Sequence, residues 1–118
     1  MLASTKIILY GTDLSLLSTR RLILERSGFA VRSTHELWEA MRLIEARAAD
    51  LIVLCHSVPA EDAKNLLLLA RAAQPVMKTV VLIPANPTWI PGTADKVVVA
   101  LEGPSALLAA VQVALEQA

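Results

Sequence analysis

The sequence predicts an α/β fold, a three-layer, doubly wound domain on a five-stranded parallel sheet. Three observations predict it. Five short apolar runs are continuous rather than alternating, the pattern of strands covered on both faces. Segments with helical spacing lie between them, and strands alternating with helices build right-handed βαβ units. The chain has 118 residues, 55% of them hydrophobic, enough for one domain with a real core and too short for a second.

The elements follow in order. Lys6–Tyr10 reads as the first strand. Asp13 is placed to N-cap a helix over Leu14–Ser27, which Gly28 can end. Within it Leu16 with Ile23, and Leu17 with Leu24, recur seven apart on one face. Arg20, Arg21, Glu25 and Arg26 read as its solvated side, with Arg20 at the border of the apolar stripe. Phe29–Ser33 is the second strand, and Ser33 with Glu36 has capping-box spacing for a second helix burying Leu37, Ala40, Met41 and Ile44. Trp38 lies off that stripe and is expected to be partly buried. Asp50–Cys55 is the third strand, and Glu61–Ala73 the third helix, most apolar through Leu66–Leu69. Thr79–Ile83 and Lys96–Leu101 complete the strands. Pro84, Pro87, Pro91 and Gly92 predict a loop or short turn between these last two, in place of a regular fourth helix. Gly103-Pro104-Ser105 opens the last helix, with Leu108, Val111 and Leu115 as its stripe.

Composition excludes several classes of function. Eleven basic residues balance eleven acidic ones, which argues against binding nucleic acid by phosphate neutralisation and against a polybasic membrane surface. Aromatic residues are 3%, too few for base-stacking platforms. A single cysteine permits no internal disulfide and no cysteine-based zinc cluster, and two scattered histidines add no metal site. No signal-peptide pattern opens the chain, and no apolar run approaches the roughly 20 residues of a membrane span. A cytoplasmic setting is the expectation.

Several stretches resemble receiver domains of bacterial two-component response regulators, the CheY-like family. Lys6–Tyr10 resembles the first strand, Ser27-Gly28-Phe29 the passage into the second, and Asp50–Leu54 with Val58-Pro59 the third strand and its loop. Gly92–Asp95 resembles the run into the fifth strand, and Pro104 with Leu107-Leu108 the start of the last helix. The resemblance spans nearly the whole chain and implies a flavodoxin-like sheet of order 2-1-3-4-5, with the fourth helix shortened or absent. It also implies phosphoryl transfer to an aspartate, with magnesium held by an acidic pair and that aspartate, and the phosphoryl group held by a hydroxyl residue and a lysine.

In that register the acidic pair falls on Gly11 and Thr12, the acceptor on Cys55, the hydroxyl residue on Pro84, the lysine on Ala100 and the aromatic switch on Val97. Asp13, one place past the pair, is the only carboxylate left nearby. The expectation is therefore a degenerate receiver with no cofactor and no enzymatic activity, working in signal transduction by contact with a protein partner or a second copy. Trp89 and Ile90, in the proline-rich segment, are the candidate contact residues. Two alternatives remain. Asp13 with backbone N–H groups could sense a phosphoryl group or another anion. Cys55, with His56 beside it, could act as a thiol sensor or nucleophile if a cationic setting lowered its pKa from ~8.5. Ser57 and His56 read otherwise as a solvated loop, and His35 as a surface residue.

Overall fold

A computed structural model describes residues 4–87, 89–100 and 103–116. The elements are β1 (Lys6–Tyr10), α1 (Leu14–Arg26), β2 (Ala30–Thr34), α2 (Leu37–Glu45), β3 (Leu51–Leu54), α3 (Ala60–Ala73), β4 (Lys78–Ile83), β5 (Lys96–Val99) and α4 (Pro104–Glu116). All four strand pairings are parallel, and the sheet order is β2-β1-β3-β4-β5. The order reverses between β1 and β3, which places the loops after these strands at the crevice where such sheets bind ligands.

The continuous apolar runs are explained by two cores. Ile8, Tyr10, Ile52, Leu54, Val81 and Ile83 face α2 and α3. Their strand neighbours Ile7, Leu9, Leu51, Val53, Val80 and Leu82 face α1 and α4 on the other side. Successive side chains point to opposite faces, so a strand covered twice needs apolar residues at every position. Each fully buried Leu or Ile contributes about 1.5–3 kcal/mol.

Capping fixes α1 as expected: the Asp13 carboxylate accepts from Leu16 N at 3.1 Å, and Gly28 follows the helix at φ +96°. The start of α2 differs. Ser33 does not cap it, because parallel pairing of β1 with β2 runs on to Tyr10 opposite Thr34 and keeps Ser33 in the strand. Thr34 instead accepts from Glu36 N through its hydroxyl at 3.0 Å, and the helix begins at Leu37. The buried face of α2 is Ala40, Leu43 and Ile44, while Met41 is exposed, a rotation of the stripe toward Leu43. Trp38 goes with Met41: it is 60% exposed and lies under Arg42, whose guanidinium is 5.6 Å from the ring centre. In α3 the four-leucine run cannot all face inward, and Leu68 is exposed. In α4 the buried line is Leu107, Ala110, Val111 and Ala114, with Leu108 and Leu115 at its margins.

A fourth helix is present in the chain, α4, and it follows β5. Between β4 and β5 the described residues 84–87 and 89–95 form only bends and turns. Asp95 anchors that passage: its carboxylate accepts from Thr79 N at 2.7 Å and Thr79 Oγ1 at 3.0 Å, and Asp95 N donates to Thr79 Oγ1 at 2.9 Å. Trp89 is half-buried against the α2–α3 core, with Lys64 Nζ 5.5 Å from its ring. The strand expected to reach Leu101 ends at Val99, and Leu101 lies outside the described residues.

Candidate functional site

The carboxyl ends of β1 and β3 bring Gly11, Thr12, Asp13, Cys55, His56 and Ser57 together. Cys55 N donates to Tyr10 O at 2.9 Å, which extends the β1–β3 pairing by one bond and sets the thiol beside Gly11. The approach is close. A Cβ added at Gly11 would meet Cys55 Cβ at 2.9 Å and Cys55 Sγ at 3.0 Å. Glycine is required here by space, since carbon atoms prefer about 3.5–4.0 Å.

Ser57 ties the two loops. Its hydroxyl oxygen accepts from Thr12 N at 3.0 Å and from Asp13 N at 3.3 Å, and its carbonyl accepts from Thr12 Oγ1 at 2.9 Å. The backbone N–H groups that could have cradled an anion beside Asp13 already have a partner. The Asp13 carboxylate is likewise engaged at the N-terminus of α1.

Arg20, expected at the border of the apolar stripe, lies inside it, with 9% of its surface exposed. Its Nη2 donates to His56 Nδ1 at 3.2 Å, so His56 is neutral with its proton on Nε2. Its Nη1 is buried without a hydrogen-bond partner. Position 20 lies three or four residues from each of Leu16, Leu17, Ile23 and Leu24, the middle of the apolar stripe, so helical periodicity itself signals that this arginine turns inward while Arg21 and Arg26 do not.

The electrostatics follow from that placement. Burial pushes the Cys55 thiol up, Arg20 opposes this by charge and hydrogen bonding, and Asp13 adds to the rise. The net effect is upward, and the thiol is 3% exposed. Burial lowers the His56 pKa, Arg20 lowers it further, and Asp13 offsets part of the fall. These are not the surroundings of an activated thiolate.

The remaining sites fall apart from this cluster or at its margin. Pro84 is exposed, Ala100 is half-buried, and Val97 points outward with 38% exposure. Trp89 is partly taken into the core, while Ile90 is 65% exposed. His35 is a surface residue paired with Glu36 at 3.2 Å. Magnesium, which the family resemblance implies, needs several oxygen ligands. Asp13, the carboxylate beside Gly11 and Thr12, is spent on its cap, and no cluster of three metal-ligating side chains occurs among the described residues. The residues present do not fit that ion. Among the described residues, no helix is long and apolar enough to cross a membrane.

Comparison of the sequence with family models and with curated proteins gives no match. Comparison of the structure with solved structures gives many. A CheY-like response regulator receiver domain protein from Methanospirillum hungatei superposes with a TM-score of 0.82 at 20% identity, over 97% of this chain and 95% of that one. A response regulator receiver protein from Sinorhizobium medicae gives 0.80 at 22% identity, over 98% and 97%. The signal receiver domain of an HD domain-containing protein from Pseudomonas fluorescens gives 0.83 at 19%, over 97% and 96%. At these identities the fold is what is shared: this chain has the flavodoxin-like receiver fold, with strand order 2-1-3-4-5.

Proposed function

We propose that the chain is a degenerate receiver module that signals by phosphorylation-independent contact with a protein partner or a second copy of itself. The observation that carries this reading is the Gly11–Cys55 approach. The space that an acidic pair and an acceptor aspartate would share in the receiver register is filled by a thiol packed against a glycine, within about 3 Å of any added side chain. Ala100 supplies no cation and Pro84 no hydroxyl at the other two positions of that register. With no acceptor carboxylate and no acidic pair at the positions of that register, no group there takes a phosphoryl and none offsets its charge. The module is therefore no enzyme and needs no cofactor. Its likeness to receiver domains supports a role in two-component-type signalling in the bacterial cytoplasm, and its zero formal charge favours protein over nucleic acid or membrane. Exposed Ile90, on the proline-rich passage, and exposed Trp38, beside Met41 on α2, are the apolar contact points it offers.

The test is an amide NMR titration of the labelled chain with magnesium and then beryllofluoride, a phosphoryl mimic. The expected result is no saturable shift at Gly11, Thr12, Asp13, Cys55 or Ala100. Saturable, magnesium-dependent shifts at Gly11–Asp13 would overturn the reading.

A further inference from the structure

We propose that the cleft between α3 and the start of β5 binds a small α-amino acid in its dipolar form, the ligand's carboxylate on Arg71 and its ammonium on Asp95. The cleft opens at the amino ends of β4 and β5, the opposite end of the sheet from the Gly11–Cys55 cluster. It stands or falls apart from the protein-contact reading.

The first ground is a pair of opposite charges held apart. Arg71 extends from α3 across the cleft, where its Nη2 donates to Thr93 O at 3.4 Å, the one hydrogen bond its side chain makes among the described residues. The other N–H groups of the guanidinium fork are left for a ligand. Asp95 takes both Thr79 donors, N and Oγ1, on Oδ2 alone. The carboxylate is thereby fixed beside Thr79, while Oδ1 has no partner among the described residues. Arg71 and Asp95 are both exposed, and among the described residues neither pairs with the other or with a third charge. A guanidinium receives a carboxylate on two parallel N–H groups, and a carboxylate oxygen receives an ammonium N–H. A simple anion here is repelled by Asp95, and a simple cation by Arg71. A molecule carrying both charges meets the opposite charge at each end.

The second ground is the cleft itself. It measures about 140 Å³ and is lined by Leu67 and Arg71 of α3 with Pro75, Met77, Thr79, Thr93 and Asp95. It is open because no regular helix between β4 and β5 covers this face beside α3: the described residues 84–87 and 89–95 form only bends and turns. Leu67 and Met77 are buried and, with Pro75, give the cleft an apolar side. Thr79 Oγ1 donates to Asp95 Oδ2 and accepts from Asp95 N, which leaves the two charged groups and Thr93 as the polar partners of a ligand. At about 30 Å³ per water-sized group, the volume holds roughly five heavy atoms. That is the size of glycine or alanine, and the apolar side favours the methyl group of alanine.

The experiment titrates the labelled full chain with L-alanine at constant pH and ionic strength, following the amides of Thr79, Thr93 and Asp95 and the Arg71 side-chain Nε–H. Saturable shifts at these groups are expected. Propionate lacks the ammonium and ethylamine lacks the carboxylate, and each should bind about tenfold more weakly, the loss of one charge-assisted hydrogen-bonded contact. Arg71→Met keeps the apolar stem and removes the charge at an exposed position, and it should weaken alanine binding by about the same factor. Asp95→Asn keeps an oxygen for Thr79 N and Oγ1 while removing the charge, and it should do likewise; if this variant unfolds, Arg71→Met and the two analogues carry the test. The proposal is overturned if alanine gives no saturable shift, if propionate or ethylamine matches it, or if either folded variant binds it as well as the native chain does.

Discussion

Gly11→Ala tests the feature on which the functional reading rests. The added methyl group would lie 2.9 Å from Cys55 Cβ and 3.0 Å from Cys55 Sγ, inside the usual carbon contact distance by most of an ångström. Rotating the thiol relieves only the second contact. The first involves two Cβ atoms fixed by adjacent, hydrogen-bonded strands, so the backbone must move. Overpacking of this kind costs about 1–3 kcal/mol. For a chain of this size that lowers Tm by roughly 4–12 °C. The assay is urea unfolding followed by far-UV circular dichroism, where Cm should fall at constant m-value. The partner variant is Cys55→Gly, which removes both opposing atoms. Placed in that background, Gly11→Ala should cost at least about 1 kcal/mol less than it does alone, a coupling expected of residues in direct contact. If Gly11→Ala is neutral, or if its cost is the same in both backgrounds, the two residues do not exclude one another. The packing argument against a carboxylate at this edge then fails.

Other expectations follow from the same cluster and its surroundings. Native Cys55 should react with iodoacetamide far more slowly at pH 8 than the urea-unfolded chain, because burial both raises its pKa and closes access; equal rates would restore the thiol reading. His56 should titrate below its ordinary 6.5, since burial and Arg20 both disfavour the imidazolium. Between 6.5 and the lowered value the unfolded chain binds the extra proton, so this residue's contribution to stability is present above 6.5 and is lost as pH falls through that window. Arg20→Met should move the imidazole titration, read from its ring proton shifts, back upward; no movement would mean that the Arg20–His56 contact is absent in solution. Asp95→Ala removes both acceptor bonds from Thr79 and should cost about 1–3 kcal/mol in urea unfolding, against near neutrality if the β4–β5 passage is held by packing alone.

The fold was legible because its signals are local and repeated. Continuous runs such as Leu51–Leu54 mark doubly covered strands, Asp13 and Gly28 bracket α1, and three prolines plus a glycine forbid a regular helix between β4 and β5. Errors arose where tertiary pairing decided between local alternatives. Ser33 has capping-box spacing, yet pairing with β1 keeps it in β2. Met41 and Leu43 are both apolar, and the turn of α2 against the sheet determines which is buried. The substitutions at Gly11, Cys55, Pro84 and Ala100 could be read one by one, but their mutual geometry could not. That Gly11 and Cys55 fill one space requires the β1–β3 pairing. That Ser57 occupies the N–H groups of Thr12 and Asp13 requires two loops 45 residues apart to meet. Arg20 was hidden for a different reason. Its spacing, three or four residues from Leu16, Leu17, Ile23 and Leu24, puts it on the apolar stripe, but the charge of an arginine argues for solvent; Arg21, one place on, leaves that stripe and pairs with Glu25 on the surface at 3.3 Å.

The burial of Arg20 poses a question that stability can answer. Replacing a buried ion pair with apolar groups of similar volume is often neutral or stabilising by about 1–4 kcal/mol, and a buried charge lacking an acidic partner has less to lose. If Arg20 served only the fold, its contacts with His56 and Cys55 would have to repay its desolvation, and Arg20→Met would destabilise the chain by leaving His56 Nδ1 without its donor. If those contacts do not offset it, the native chain carries the cost of a buried charge without an acidic partner among the described residues, and Arg20→Met should match or exceed it in urea Cm. A loss greater than about 1 kcal/mol would assign the residue to structure. A gain would mean that this chain, with alanine where the receiver register has a lysine, keeps a cation at the same edge by drawing one from α1 at the expense of stability.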